Sequence, residues 1–216
     1  MLVPNHRFQD VAEFILALPG AVVVKEYPQK YYQGKKTGFA NILQVKTALI
    51  KFDIIQSADR SPFRPIAYYY GTHVMNAITA DLVICSYPTL TFENRGYYVP
   101  RGPNYVEASA TRAMMKYIER GFEFIRGDDN NMTPSQPCAK AITCPNRNRF
   151  FGDQYCLIIP NGESTVRAIW DFMDEDSTTT WRLSGQPCRN ASCYIVGQLS
   201  VASMVIGHAR RLKNFS

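Results

Sequence analysis

The sequence predicts an α+β fold, with a mixed or antiparallel sheet and about four helices in a single domain of residues 1–216. Two observations predict this class. Some segments carry an apolar residue at every third or fourth position, as amphipathic helices do, whereas others are short and rich in β-branched residues, as strands are. The chain is 46% hydrophobic and 19% charged, which is typical of a globular protein with a sizeable core.

Helical periodicity occurs in four segments of the chain. In the first, the pair Pro19-Gly20 is expected to end a helix whose apolar stripe consists of Phe8, Val11, Phe14, Ile15 and Leu18. In the last, basic residues lie near the carboxyl end, where they suit the helix dipole. The four predicted helices cover residues 5–18, 72–86, 104–120 and 200–213.

We expect the segment 72–86 to form the central helix of the domain. One face of this helix would carry Val74, Met75, Ile78, Leu82 and Cys85, because these residues recur at the three- and four-residue spacing of a helix. Pro88 would prevent the helix from continuing. Leu82 is therefore predicted to be fully buried.

Short segments that are β-branched or alternate in polarity predict the strands. In chain order they are residues 21–27, 39–45, 47–55, 122–126, 154–160, 166–172, 179–183 and 193–199. A long polar segment, residues 127–137, separates two parts of different character. It marks the place where the single domain would subdivide.

The cellular compartment is predicted from two missing signals. The amino-terminal segment lacks the basic stretch and apolar run of a signal peptide, and no apolar run approaches the roughly 20 residues of a membrane-spanning helix. We therefore expect an intracellular protein with no membrane association and mostly reduced cysteines. The net charge of +6 is spread evenly along the chain, so it permits nucleic-acid binding without arguing for it.

Four of the six cysteines form two close pairs, Cys138 with Cys144 and Cys188 with Cys193. Four thiolates could hold a structural zinc ion, but only the second pair has the two to four intervening residues that are usual in such sites. We therefore expect free thiols and no cofactor, and a structural zinc site or disulfide bonds are the alternatives.

His73 is the candidate acid–base residue if the protein is a small hydrolase-type enzyme. Its carboxylate partner would be Asp81 or Asp53. In a continuous helix, Asp81 and Cys85 would lie roughly 12 and 18 Å from His73, which excludes a His73–Cys85 dyad. Because the common catalytic motifs are missing from the sequence, we expect His73 to be a structural, hydrogen-bonded residue.

Two segments, residues 25–36 and 146–151, mix basic with aromatic residues. Protein interfaces favour Tyr, Phe and Arg, and nucleic-acid surfaces combine cations with stacking rings. We predict a non-catalytic binding or assembly module that acts through protein–protein contacts or self-association. Nucleic-acid binding through the same loops and a small hydrolase are the alternatives. The expected binding residues, all placed on the surface, are Lys30, Tyr31, Tyr32, Lys35, Lys36, Arg147, Arg149, Phe150 and Phe151.

Overall fold

The computed structural model describes part of the chain in detail. The described residues are 1–28, 38–98, 108–126, 149–161, 179–181, 183 and 207–208. The chain divides into two compact units, of which the first consists mainly of Met1–Tyr68 and the second begins at Tyr69. Residues 127–137 lie outside the described residues, and the expectation of a single domain remains a prediction.

A four-stranded sheet and one helix build the first unit. The helix α1 spans Phe8–Leu16 and follows a 3-10 turn, and the strands are β1 Leu2–Val3, β2 Val22–Pro28, β3 Phe39–Lys46 and β4 Lys51–Ser57. Their order in the sheet is β1-β4-β3-β2. The pairs β2–β3 and β3–β4 are antiparallel, whereas β1 runs parallel to β4.

The core of the first unit lies between α1 and the sheet. Phe8, Ala12 and Ile15 are buried because their spacing places them on one face of α1. Leu43 and Val45 are buried on β3, two residues apart and therefore on the same side of the sheet. The helix predicted over residues 5–18 is confirmed, with its regular part limited to α1.

Three small sheets and two helices come later in the chain. The elements are β5 Asn76–Ile78, β6 Leu82–Cys85, α2 Pro88–Phe92, β7 Arg95–Tyr98, α3 Ala108–Ile118, β8 Glu123–Arg126, β9 Arg149–Phe150, β10 Leu157–Pro160, β11 Thr179–Trp181 and β12 Gly207–His208. The sheet orders are β10-β6-β5, β7-β8 and β12-β11-β9. In the first of these sheets both pairs are antiparallel, and β7 and β8 are parallel.

The central helix predicted over residues 72–86 is wrong. The segment forms one 3-10 turn and then the antiparallel hairpin β5–β6. Ile78, Val83 and Ile84 are β-branched and fit a pleated strand, and Thr79 makes the hydrogen bonds of a tight turn between them. The expected burial of Leu82 is confirmed, because its side chain is only 5% exposed, on strand β6.

The other two predicted helices have different outcomes. The helix predicted over residues 104–120 is confirmed as α3, and residues 101–107 lie outside the described residues. The prediction of a helix over 200–213 is wrong at Gly207–His208, the only described residues in that range. These two residues pair in a sheet, and glycine is unfavourable inside a helix. The described residues thus combine three α-helices with several small sheets, an α+β arrangement. None of these helices is both long and apolar enough to cross a membrane.

Candidate functional site

The predicted basic-aromatic surface is only partly accounted for. Lys30, Tyr31, Tyr32, Lys35, Lys36 and Arg147 lie outside the described residues. Of the other three expected binding residues, Phe150 is half-buried on β9, Arg149 is only 2% exposed and Phe151 is completely buried. Placing Arg149 and Phe151 on the surface was therefore wrong.

Arg149 is buried because a carboxylate four residues later neutralises it. Its Nε donates to Asp153 at 2.5 Å, and its Nη2 donates to the other oxygen of Asp153 at 3.0 Å and to the carbonyl oxygen of Ser86 at 2.7 Å. The guanidinium also lies 4.5 Å from the centre of the Tyr87 ring. Burial is the largest single influence and acts to lower the pKa of Arg149, but the hydrogen bond and charge of Asp153, together with Tyr87 and Cys156, outweigh it and the pKa is raised.

The groups around Arg149 are held in unreactive protonation states. Trp181 donates to the Tyr87 hydroxyl at 3.0 Å, and burial raises the pKa of Tyr87 to about 12. Burial, assisted by the charge of Asp153, raises the pKa of the Cys156 thiol to about 11. At neutral pH this thiol is protonated and is a poor nucleophile. We therefore assign the Arg149 cluster a structural role.

His73 is enclosed within the second unit and is only 4% exposed. Its Nε2 lies 3.3 Å from the Tyr70 hydroxyl, and the rings of Tyr117 and Phe124 meet it edge-on at 4.4 and 4.8 Å between centroids. Burial lowers the pKa of His73 to about 4, so the imidazole is neutral at neutral pH. A side chain at Gly71 would come within 2.8 Å of this ring, so only glycine fits there.

The side chain of His73 hydrogen-bonds Tyr70 and neither of its proposed carboxylate partners. Asp81 lies in the turn between β5 and β6, and Asp53 lies on β4 in the first unit, where it accepts from Gln44 at 2.8 Å. The helical distances that separated His73 from Cys85 no longer apply, since there is no helix. Cys85 is a buried free thiol opposite Asn76 in the hairpin.

The proposed zinc ligands Cys138, Cys144, Cys188 and Cys193 all lie outside the described residues. Within the described part of the chain, Cys85 and Cys156 are free thiols, and no group of three or more His, Cys, Asp or Glu side chains could hold a metal ion. The zinc alternative therefore remains a prediction.

The most exposed apolar residue of the described chain lies in the turn between β3 and β4. Leu49 is 91% exposed and Ile50 is 56% exposed. Thr47 fixes this turn, because its hydroxyl oxygen accepts from the backbone N–H groups of Leu49 and Ile50 at 3.3 and 3.1 Å. The Thr47 hydroxyl and backbone N–H both donate to the carbonyl of Ile50, at 3.1 and 2.9 Å.

Strand β2 extends this apolar surface. Val22 pairs with Lys46, which directly precedes the turn, and Val22–Val24 are each more than half exposed. Lys46 and Lys51 face each other across the base of the turn, and both are exposed. We call Val22–Val24 together with Leu49 and Ile50 the tip surface. The residues of the tip surface belong to the segments 14–24 and 45–52. The first segment has no charged residue, and the charged residues of the second are Lys46 and Lys51.

A second exposed apolar row lies on the sheet β10-β6-β5. Ile78 and Ile159 are both partners of Val83, one on each side of β6, so the three side chains project from the same face. Ile78 is 82% exposed, Ile159 is 50% exposed and Val83 is half-buried. We call this row the isoleucine stripe. Asp81, in the adjoining turn, is the only charged residue in the segment 75–92.

Sequence reasoning missed both surfaces. Residues 47–50 were assigned to a strand and Ile78 to a helix, so neither was expected to be exposed. The sequence does contain a pattern that indicates these two turns. Both begin with Thr-Ala and end with a branched aliphatic residue, since Thr47–Ile50 reads TALI and Thr79–Leu82 reads TADL. A threonine that can bond the backbone two and three residues ahead is typical of turns.

Comparison of the chain with protein-family models, with curated proteins and with solved structures finds no significant match.

Proposed function

We propose that this protein is a non-catalytic binding or assembly module that acts through protein–protein contacts. The observation that carries the proposal is Leu49, an aliphatic side chain left 91% exposed by a turn with four hydrogen bonds. Single exposed apolar residues are common, but here Leu49 and Ile50 are consecutive in one turn, and the exposed Val22–Val24 lie on the strand that pairs with β3 beside it. Adjoining exposed apolar residues are typical of interaction sites.

Rigidity and composition both suit the tip surface to a protein contact. Because Thr47 fixes the backbone of the turn, a partner would gain apolar burial from Leu49 and Ile50 with little further loss of backbone freedom. Burial contributes roughly 25 cal/mol for each Å² of apolar surface removed from water. Lys46 and Lys51 would form a polar rim beside this apolar centre, the arrangement that protein interfaces commonly have.

The sequence-predicted loops remain part of the proposal. Tyr31 and Tyr32 would supply further anchors, and Lys35 and Lys36 would supply further rim charge. The nucleic-acid alternative is weakened by the burial of Arg149 against Asp153. The hydrolase alternative is weakened because His73 is only 4% exposed and its side chain hydrogen-bonds Tyr70 instead of Asp53 or Asp81, while burial, which lowers its pKa to about 4, makes it a weak base.

The test is capture from the native source with the wild-type chain, a Leu49→Asp variant and a Phe92→Asp variant as baits. Phe92 on α2 is 70% exposed and serves as the matched control, because it also exposes a large apolar side chain but belongs to the second unit and is not part of the tip surface. Proteins bound through the tip surface should be recovered with the wild type and with Phe92→Asp, and lost with Leu49→Asp.

A titration with a captured protein would then give the size of the effect. We expect Leu49→Asp to weaken binding by about 2 kcal/mol, which is roughly 30-fold in the dissociation constant, and added salt to change affinity little. Equal binding by all three baits would remove the tip surface from the proposal. Steeply salt-dependent binding to nucleic acid, with no protein recovered, would replace the proposal with the nucleic-acid alternative.

A further inference from the structure

We propose that the partner of the tip surface is a second copy of this chain, which it contacts at the isoleucine stripe. This inference rests on the proposed function and names the partner. The contact joins two different surfaces, the tip surface of one copy and Ile78, Val83 and Ile159 of the next.

The two surfaces are alike in their exposed aliphatic side chains and differ in secondary structure. Leu49 is 91% exposed and Ile78 is 82% exposed, so neither is covered within its own chain. The tip surface includes a projecting turn, whereas the isoleucine stripe crosses three neighbouring strands of a sheet. An aliphatic turn laid on an aliphatic sheet face buries apolar atoms on both sides, which is the main favourable term in association.

Charge favours this pairing over pairing of like surfaces. Contact between two tip surfaces would bring Lys46 and Lys51 of one copy against the same lysines of another. Contact between two stripes would bring two Asp81 side chains together. Contact of the tip surface with the isoleucine stripe instead brings Lys46 and Lys51 toward Asp81, the one charged residue of the segment 75–92. Like charges placed together disfavour the wrong arrangement, so charge can select the partner surface.

Joining two different surfaces has a consequence for assembly size. Each copy retains one unused tip surface and one unused stripe at the ends of a dimer, so growth continues unless the rotation between copies closes a ring. A symmetric dimer, in which one surface meets itself, would stop at two copies. The two cases are distinguished by mixing variants that each lack one surface.

The experiment is sedimentation velocity on the purified chain and on two variants, Leu49→Asp and Ile78→Lys. We expect the wild type to grow in mass with concentration from the 24.5 kDa monomer, and each variant alone to associate at least about tenfold more weakly. Mixed in equal amounts, the variants should form a dimer and nothing larger, because Leu49→Asp retains its stripe and Ile78→Lys retains its tip surface.

Three controls distinguish loss of the contact from misfolding of a variant. Both substituted residues are exposed, so both variants should keep the circular dichroism spectrum and melting temperature of the wild type. Phe92→Asp, again the matched control, should associate as the wild type does. Recovery of the dimer on mixing itself shows that each variant still presents one native surface.

Four results would overturn the inference. A wild-type chain that stays monomeric at every concentration would do so, while capture of a different protein through Leu49 would leave the proposed function standing. Loss of association in Leu49→Asp but not in Ile78→Lys would indicate a tip–tip contact, and the converse would indicate a stripe–stripe contact. Binding of the monomer to vesicles of phosphatidylcholine and phosphatidylserine, abolished by Leu49→Asp, would indicate a lipid partner instead.

Discussion

Two turns of this protein have the same hydrogen bonds but differ in how far their last residue is exposed. In Thr47–Ile50 and in Thr79–Leu82, the threonine hydroxyl accepts from the N–H groups two and three residues ahead and donates to the carbonyl three residues ahead. In both, the threonine N–H donates to that same carbonyl, at 2.9 and 2.8 Å. The fourth residue is 56% exposed in the first turn, as Ile50, and 5% exposed in the second, as Leu82.

The difference arises from what surrounds each turn. Asn161, just after β10, binds the second turn with its backbone N–H donating to the carbonyl of Asp81 at 2.6 Å and its side chain to the carbonyl of Ala80 at 2.8 Å. The first turn has apolar residues at its third and fourth positions, and both are exposed. A threonine therefore sets the path of the backbone, while neighbouring elements decide whether the turn serves the core or presents a surface.

The largest expected effect is on stability, at the fourth position of the two turns. Leu82→Ala should lower the free energy of unfolding by roughly 2–5 kcal/mol, because it leaves a cavity beside a buried strand. Ile50→Ala should lower it by less than about 1 kcal/mol, because Ile50 is largely exposed already. Urea unfolding of both variants measures the difference, and equal losses would show that the two turns are buried alike.

The second prediction concerns pH and the hairpin that carries the Thr79 turn. Asn76, on β5, donates to the carbonyl of His73 at 2.8 Å, so this hairpin is attached to a buried histidine. The pKa of His73 is about 4 in the folded protein and about 6.5 in the unfolded chain. Between these values the unfolded chain binds more protons, so stability is complete above about pH 6.5 and falls as the pH is lowered toward 4.

The slope from this one proton is at most about 1.4 kcal/mol per pH unit. Burial raises the pKa of Tyr70, whose hydroxyl contacts His73, to about 12, so this phenol stays protonated throughout that range. Amide hydrogen exchange measured from pH 7 to 4.5 should show protection falling at Leu82 before it falls at Ile50. A His73→Phe variant should remove this pH dependence if it folds, and a wild-type profile with the two amides falling together would contradict the prediction.

The smallest expected effect tests the shared part of the two turns. Thr47→Val and Thr79→Val remove the hydroxyl without changing the shape of the side chain, and each should cost about 1 kcal/mol of unfolding free energy. The losses should agree to within about half of that value because the hydrogen bonds are the same. One neutral and one strongly destabilising substitution would mean that only one of the turns depends on its threonine.

Prediction from sequence worked where a single periodicity was present. Helix α1 was predicted because the apolar stripe that includes Phe8, Ile15 and Leu18 fits a helix and no strand pattern competes with it. The hairpin β5–β6 was missed because Met75, Leu82 and Cys85 also fit a helical face, and the turn bonds of Thr79 were not considered. The burial predicted for Leu82 is confirmed, since an apolar residue of this size is usually buried in either structure, whereas Ile78, placed on the same helical face, is 82% exposed.

The candidate site was harder to predict, because exposure depends on the tertiary structure. Arg149 was placed on the surface because arginine usually lies there, and the spacing to Asp153 does not reveal that the pair is buried. Leu49 was placed in a strand for the opposite reason, since leucine is usually buried. In both residues the tertiary structure reverses the usual preference of the side chain.

A photo-crosslinking amino acid at position 49 tests whether the Thr47 turn contacts a protein partner, with the same group at position 92 as the control. We expect a discrete protein adduct from position 49 and none from position 92, either in the purified chain or in extract of the native source. In the purified chain, the adduct should map to the hairpin that contains Ile78. No adduct from position 49 in either sample, or equal adducts from both positions, would contradict the claim that the Thr47 turn presents a protein-binding surface.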